Sequence, residues 1–180
     1  MGNAMVAAGV ICIGFVAFAH LDRALAVQTP DQSLWSERAK AAYAAAVGGS
    51  PPVAELVIER LGLRAPVYVG TDRVTLNRGA GVIAGTALPG ERGNVAISAH
   101  RDGFFRPLKD VVVGDVIELR GAEGRVQRFE VAAISIVDPL DVSVLDATDA
   151  PVLTLVTCYP FYYVGFAPDR FIVRATALEE

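Results

Sequence analysis

From Ala4 to Leu21, eighteen consecutive residues carry no Asp, Glu, Lys or Arg. Coiled as a helix at ~1.5 Å per residue they span roughly 27 Å, close to the hydrocarbon thickness of a bilayer. Residues 1–28 are therefore read as a transmembrane anchor. Ala17-Phe18-Ala19 also offers an A-x-A-like cleavage site, so a signal segment removed on export is the rival reading. Polar residues then return with helical spacing. Thr29-Pro30-Asp31-Gln32 reads as a helix start, with Thr29 as N-cap, Pro30 at the first position and Gln32 reaching back in a capping box. Leu34, Trp35, Ala39, Ala42, Tyr43 and Ala46 recur at three- and four-residue steps up to about Val47, which gives an amphipathic helix with one apolar face. Gly48-Gly49-Ser50-Pro51-Pro52 ends it, because glycine stops helices and paired prolines forbid another. Residues 29–52 are thus an amphipathic helix and linker, and 53–180 form the domain proper.

After Pro52 the period changes to short β-rich runs separated by Gly, Pro, Asp or Asn. These runs are Ala54 to Glu59, Pro66 to Val69, Asn94 to Ser98, Asp115 to Leu119, Val126 to Val137, Val152 to Thr157 and Phe171 to Ala175. So many strands with little room for crossover helices predict an all-β fold, an antiparallel sandwich or barrel. Gly114-Asp115 and Gly121-Ala122-Glu123-Gly124 mark turns on either side of one strand.

Composition narrows the function. The net charge is −4 with no basic block, so the electrostatic footprint of a nucleic-acid binder is missing and no nucleic-acid partner is expected. Cys12 lies in the apolar leader and Cys158 in the domain, which excludes a disulfide framework. Cys12 and His20, in or beside the leader, have ordinary packing explanations.

Several motifs fail on context. Gly79-Ala80-Gly81-Val82-Ile83-Ala84 fits a dinucleotide fingerprint as a string, but Thr75-Leu76-Asn77-Arg78 before it reads as a weak strand. Gly85 and Pro89-Gly90 deny it the helix that should follow. It is instead read as a glycine-rich loop packed close to another backbone. His100-Arg101-Asp102 lacks every companion of a kinase catalytic loop. Two histidines show no metal-ligand spacing, and Asp138, Asp141, Asp146 and Asp149 read as a solvated loop, so neither cofactor nor metal is expected.

One constellation survives. Leu153-Thr154-Leu155-Val156-Thr157-Cys158-Tyr159-Pro160 is a buried-strand pattern that must stop at Pro160, which sets Cys158 at a strand's carboxyl end. Taken alone, that thiol reads as a small buried hydrophobe. His100 closes the Asn94 to Ser98 run and Arg170 opens the Phe171 to Ala175 run, so the three can meet on one rim of a barrel. A nearby cation lowers a thiol's pKa, an imidazole can protonate a leaving amine, and arginine can donate to an oxyanion. The expected chemistry is acyl transfer through a thioester. Arg174 competes with Arg170: it has the same strand parity but lies about 13 Å farther along at ~3.3 Å per residue.

Thr-Leu-Val-Thr-Cys-Tyr-Pro-Phe at 154 to 161, Ser-Ala-His-Arg-Asp at 98 to 102, Phe-Phe-Arg-Pro-Leu-Lys-Asp at 104 to 110 and Asp-Arg-Phe-Ile-Val-Arg-Ala at 169 to 175 together resemble the sortases. These are membrane-anchored bacterial cysteine transpeptidases. The resemblance covers about Val53 to Ala177 and is greatest to class D, with class E next. It implies a closed eight-stranded β-barrel with short helices, with Cys158 as nucleophile on the seventh strand, His100 after the fourth and Arg170 on the eighth. It further implies attack on the threonine carbonyl of an Leu-Pro-x-Thr-Gly-like sorting signal of exported proteins, with His100 as acid and then base and Arg170 at the oxyanion. The acceptor would be an amine, from a peptidoglycan precursor or a pilin lysine. Thr157, Ala99, Val156 and Tyr159 would border the substrate, Thr157 through its backbone, and the loop from Asp138 to Ala150 would form the substrate pocket. Ala99 stands where the family usually has glycine. The implied location is the bacterial cell membrane, single-pass, with the domain outside the cytoplasm, where a lone cysteine has no partner to oxidise with. Two other readings are a cysteine peptidase that hydrolyses the same acyl-enzyme and a tethered, non-catalytic peptide-binding barrel.

Overall fold

The β-rich texture after Pro52 resolves, in a computed structural model that describes residues 51–121, 124–163 and 165–178, into eight strands. They are β1 (Ala54–Ile58), β2 (Leu63–Val69), β3 (Ala80–Val82), β4 (Asn94–Ser98), β5 (Val116–Gly121), β6 (Val126–Val137), β7 (Val152–Tyr159) and β8 (Asp169–Ala177). Between β2 and β3 runs a short helix, α1 (Arg73–Arg78). The strands close into a barrel in the order β1-β2-β3-β4-β7-β8-β6-β5. The leader and the amphipathic helix expected within 1–28 and 29–52 lie outside the described residues, among which no helix is long and apolar enough to cross a membrane.

Strand alternation makes the core. Leu56 and Ile58 of β1, Ala65 and Val67 of β2, Val95 and Ile97 of β4, Leu153 and Leu155 of β7, and Val173 and Ala175 of β8 all point inward and are buried together. Phe105 and Leu108 join the same core from the turn after β4, both fully buried. In β6 a register shift between Val131 and Ala133 lets the strand bend while Phe129 and Val131 stay inside.

Three expectations need correction. Thr75 to Arg78 belongs to α1, not to a weak strand, because the Asp72 carboxylate accepts hydrogen bonds from the Val74 and Thr75 backbone N–H groups and nucleates a turn. The glycine-rich stretch after it contains β3, which pairs parallel to β2 and antiparallel to β4. The close backbone approach expected there is real: a Cβ on Gly81 would lie 1.9 Å from the Gly70 carbonyl oxygen. The sheet is also not wholly antiparallel, since β4 and β7 run parallel, with Ser98 opposite Val156.

At the β1–β5 side, Arg60 grips the buried Asp115 with Nε and Nη2, the latter at 2.6 Å from Oδ2. The same carboxylate accepts from Val112 N–H at 2.9 Å, and Arg60 Nη2 donates to the Asp110 carbonyl at 2.7 Å. One arginine thereby ties the turn after β1 to the turn before β5. The guanidinium hydrogen bond, helped by the Val112 N–H against the cost of burial, holds the Asp115 carboxyl below its ordinary value.

Candidate active site

Strand register brings the predicted groups together. β7 and β8 are antiparallel neighbours in which Cys158 sits directly opposite Arg170. Because Leu153, Leu155, Val173 and Ala175 face the core, Cys158 and Arg170, of opposite parity to them, face outward on the same side of the sheet. Carrying the parallel β4–β7 register two places beyond Ser98–Val156 sets His100 beside Cys158, at the about 4.8 Å backbone spacing of neighbouring strands. The pairing does continue past the strand end: Ala99 N–H donates to the Val156 carbonyl at 3.4 Å, and the Thr157 hydroxyl donates to the Ala99 carbonyl at 2.8 Å. The three groups thus lie across three adjacent strands at one end of the barrel. They stand on its outer face, not around its mouth.

Local folding aims each of them. The His100 carbonyl accepts N–H bonds from Gly103 at 3.1 Å and Phe105 at 3.3 Å, so the chain doubles back at once. With Phe105 sunk in the core, the tight turn leaves the His100 side chain exposed. Cys158 is a half-buried free thiol in the last turn of the pleat before Pro160. Arg170 is half-buried as well, and its Nη1 donates to the Asp169 carbonyl at 3.0 Å and the Ala167 carbonyl at 3.4 Å. Among the described residues no carboxylate pairs with it, so its charge stays available to a developing anion. Arg174, the competitor, faces the same way but stands opposite Thr154, four places along β8 and about 13 Å from Arg170.

The residues expected to border the substrate divide. Val156 faces outward and is half-exposed, on the floor beside Cys158. Ala99 and Thr157 are buried and face the interior, and Tyr159 packs against the core beside Phe161 and Phe171.

One wall of the outer face is the β6–β7 loop. Asn94, buried at the start of β4, donates its side-chain amide to the carbonyls of Val144 at 3.0 Å and Asp146 at 3.1 Å, and accepts from the Thr154 hydroxyl at 2.7 Å. Within the loop, Asp138 and Asp141 accept N–H bonds from Leu140 and Ser143, two residues on, so these carboxylates shape turns. Asp141 is held below the usual carboxylate range by the Ser143 hydroxyl and N–H. Leu140 and Val142 are exposed along it. Asn94 was missed by sequence reasoning because the groups that tie it to the loop are backbone carbonyls, which leave no mark on composition or spacing.

The surroundings match known proteins. The Sortase domain family model matches residues 56–178. The chain is 29% identical over 187 residues to Sortase D of Bacillus subtilis (strain 168), covering 94% of this chain and 93% of that protein. Among solved structures, a Clostridium perfringens Sortase D5 transpeptidase superposes with a TM-score of 0.64 at 27% identity, covering 83% of this chain and 92% of that one. Sortase A from Corynebacterium diphtheriae gives a TM-score of 0.67 at 31% identity, covering 82% and 72%. Streptococcus pneumoniae Sortase C gives 0.65 at 28%, covering 71% and 67%.

Proposed function

The chain belongs to the sortase family and is a cysteine transpeptidase; on that premise we propose that Cys158, His100 and Arg170 join an Leu-Pro-x-Thr-Gly-like sorting signal to an amine. The Cys158 thiolate attacks the threonine carbonyl carbon, and the new oxyanion is met by Arg170, which faces it across the β7–β8 pair. The C–N bond then breaks while His100 gives its proton to the leaving glycine amine, which leaves a thioester. An incoming amine, from a pilin lysine or a peptidoglycan precursor, loses its proton to His100 as it attacks the thioester, and the thiolate departs. The acceptor class is supported by a relative, Streptococcus pneumoniae Sortase C, whose structure bears on pilin substrate specificity. The apolar run Ala4 to Leu21 supports a single-pass place in the bacterial cell membrane with the barrel outside the cytoplasm.

The observation that carries this reading is the register that sets Cys158 opposite Arg170 with His100 on the next strand. The test is the full chain in detergent with a fluorogenic sorting peptide, with and without an added amine. The parent should accumulate a thioester on Cys158 by mass spectrometry and form the amide product when amine is present; Cys158→Ala should do neither. An alanine variant that cleaves as fast as the parent overturns the nucleophile, and a product unchanged by amine turns the reaction into hydrolysis.

A further inference from the structure

The loop from Pro160 to Pro168 links the strand end bearing Cys158 to the strand bearing Arg170. Among the described residues its backbone forms one turn, at Phe161 and Tyr162, and otherwise makes no backbone–backbone hydrogen bond of its own outside the strands. The contacts that tie it to the rest of the barrel come from side chains. Arg101, next to His100 in the chain, donates from Nη2 to the carbonyls of Tyr163 at 2.8 Å and Gly165 at 3.2 Å, and its guanidinium lies 5.9 Å from the Tyr163 ring centroid. Arg106 adds a ring contact at 4.4 Å over exposed Tyr162. At the loop's far end Arg170 donates to Ala167. Arg101 Nη1 is buried without a hydrogen-bond partner. A buried orphan donor is unfavourable and is tolerated where the rest of the group is required in place.

We propose that Arg101 is a positioning residue that buckles the β7–β8 loop onto the histidine turn, so that Arg170 is presented to the thioester-forming carbonyl at a set distance from Cys158 and His100. The proposal deepens the reading of Cys158, His100 and Arg170 as the reacting groups and rests on it. The geometry favours this over a merely packing role because both acceptors belong to the one segment between Cys158 and Arg170. Apart from the longer Arg170–Ala167 contact at 3.4 Å, no other described side-chain hydrogen bond to the loop shares the strain if Arg101 lets go. Arg101 touches no reacting atom. It acts through Arg170, whose own loop contact at Ala167 lies two residues beyond Gly165.

The experiment measures kcat and KM of the full chain for Arg101→Ala, Arg101→Lys and Arg106→Ala, and repeats Arg101→Ala in an Arg170→Lys background. Misplacement on the scale of an ångström predicts that Arg101→Ala loses about 100-fold in kcat with KM within about twofold. Arg101→Lys, with one ammonium for two carbonyls, should fall between, and Arg106→Ala should stay within about threefold of the parent, since it removes only an exposed ring contact. Residues acting as a unit are non-additive, so in the Arg170→Lys background the added Arg101→Ala change should cost less than about threefold. The proposal is overturned if Arg101→Ala keeps kcat within that margin, if its loss is as large with Arg170→Lys as without, or if the loss only tracks a lowered melting midpoint. Parental rates in Cys158→Ala and Arg170→Lys would instead sink the site assignment itself.

Discussion

Thr157 offers a test of how the proposed site is held together, because its hydroxyl is the sole described partner of the Ala99 carbonyl, between Cys158 and His100. At 2.8 Å that bond is much the firmer of the two cross-links there, the other being Ala99 N–H to Val156 O at 3.4 Å. Thr157→Val keeps the shape and removes the donor, leaving a buried carbonyl unpaired at a cost of about 1–3 kcal/mol. For a domain of this size, at roughly 4 °C per kcal/mol, the melting midpoint should drop by about 4–12 °C. Thr157→Ser keeps the donor and removes one buried methyl, a loss of about 1 kcal/mol and some 4 °C. The two variants part company in catalysis. Slack of a few tenths of an ångström between the strands, at ~100-fold per ångström, predicts a roughly threefold to tenfold fall in kcat for Thr157→Val, while Thr157→Ser holds near the parent. Scanning fluorimetry and peptide-plus-amine kinetics on the same preparations give both readouts. Parental kcat in Thr157→Val, or an equal loss in Thr157→Ser, would show that volume and not the hydroxyl sets the spacing.

The two outward arginines of β8 separate cleanly: Arg170→Ala should lose about 100- to 1,000-fold in kcat as an oxyanion donor, and Arg174→Ala, about 13 Å away, far less. Equal effects in steady-state kinetics would refute the assignment. Asp115 governs part of the acid limb of stability. Its folded pKa lies below the unfolded value of about 3.9 because of Arg60, so the stabilisation is present above roughly pH 4 and is lost as pH falls through the folded pKa. Asp115→Asn should cost about 1.5–3 kcal/mol at pH 7 and flatten the fall in denaturation midpoint between pH 5 and pH 2, as chemical unfolding across that range will show.

The β6 and β7 patterns, and the placing of Cys158, His100 and Arg170 at strand ends, are legible in the sequence because strand breakers and apolar runs carry them. β3 is not legible: two of its bounding and central positions are Gly79 and Gly81, chosen for close approach to Pro66 and Gly70, and glycine carries no strand signal. The outward aim of the site was also hidden. Val152 and Thr154 face away from the core yet are buried, so the first half of β7 is covered on both sides and its two faces cannot be told apart from pattern. Arg101 gave no signal in the sequence for the same reason that Asn94 gave none, since carbonyl acceptors belong to every residue type alike.

The parallel β4–β7 pairing bears on how the enzyme comes into being. Ala99 and Thr157 meet across 58 positions of chain, and no shorter connection brings the histidine turn to the cysteine strand. Closing such a span is slow compared with forming the local hairpins β1–β2 and β5–β6, so these contacts belong to the late stage of folding. Until then Cys158 is an ordinary thiol without its imidazole neighbour. The proposed Cys158–His100 pair therefore comes together only with barrel closure, after the local hairpins have formed.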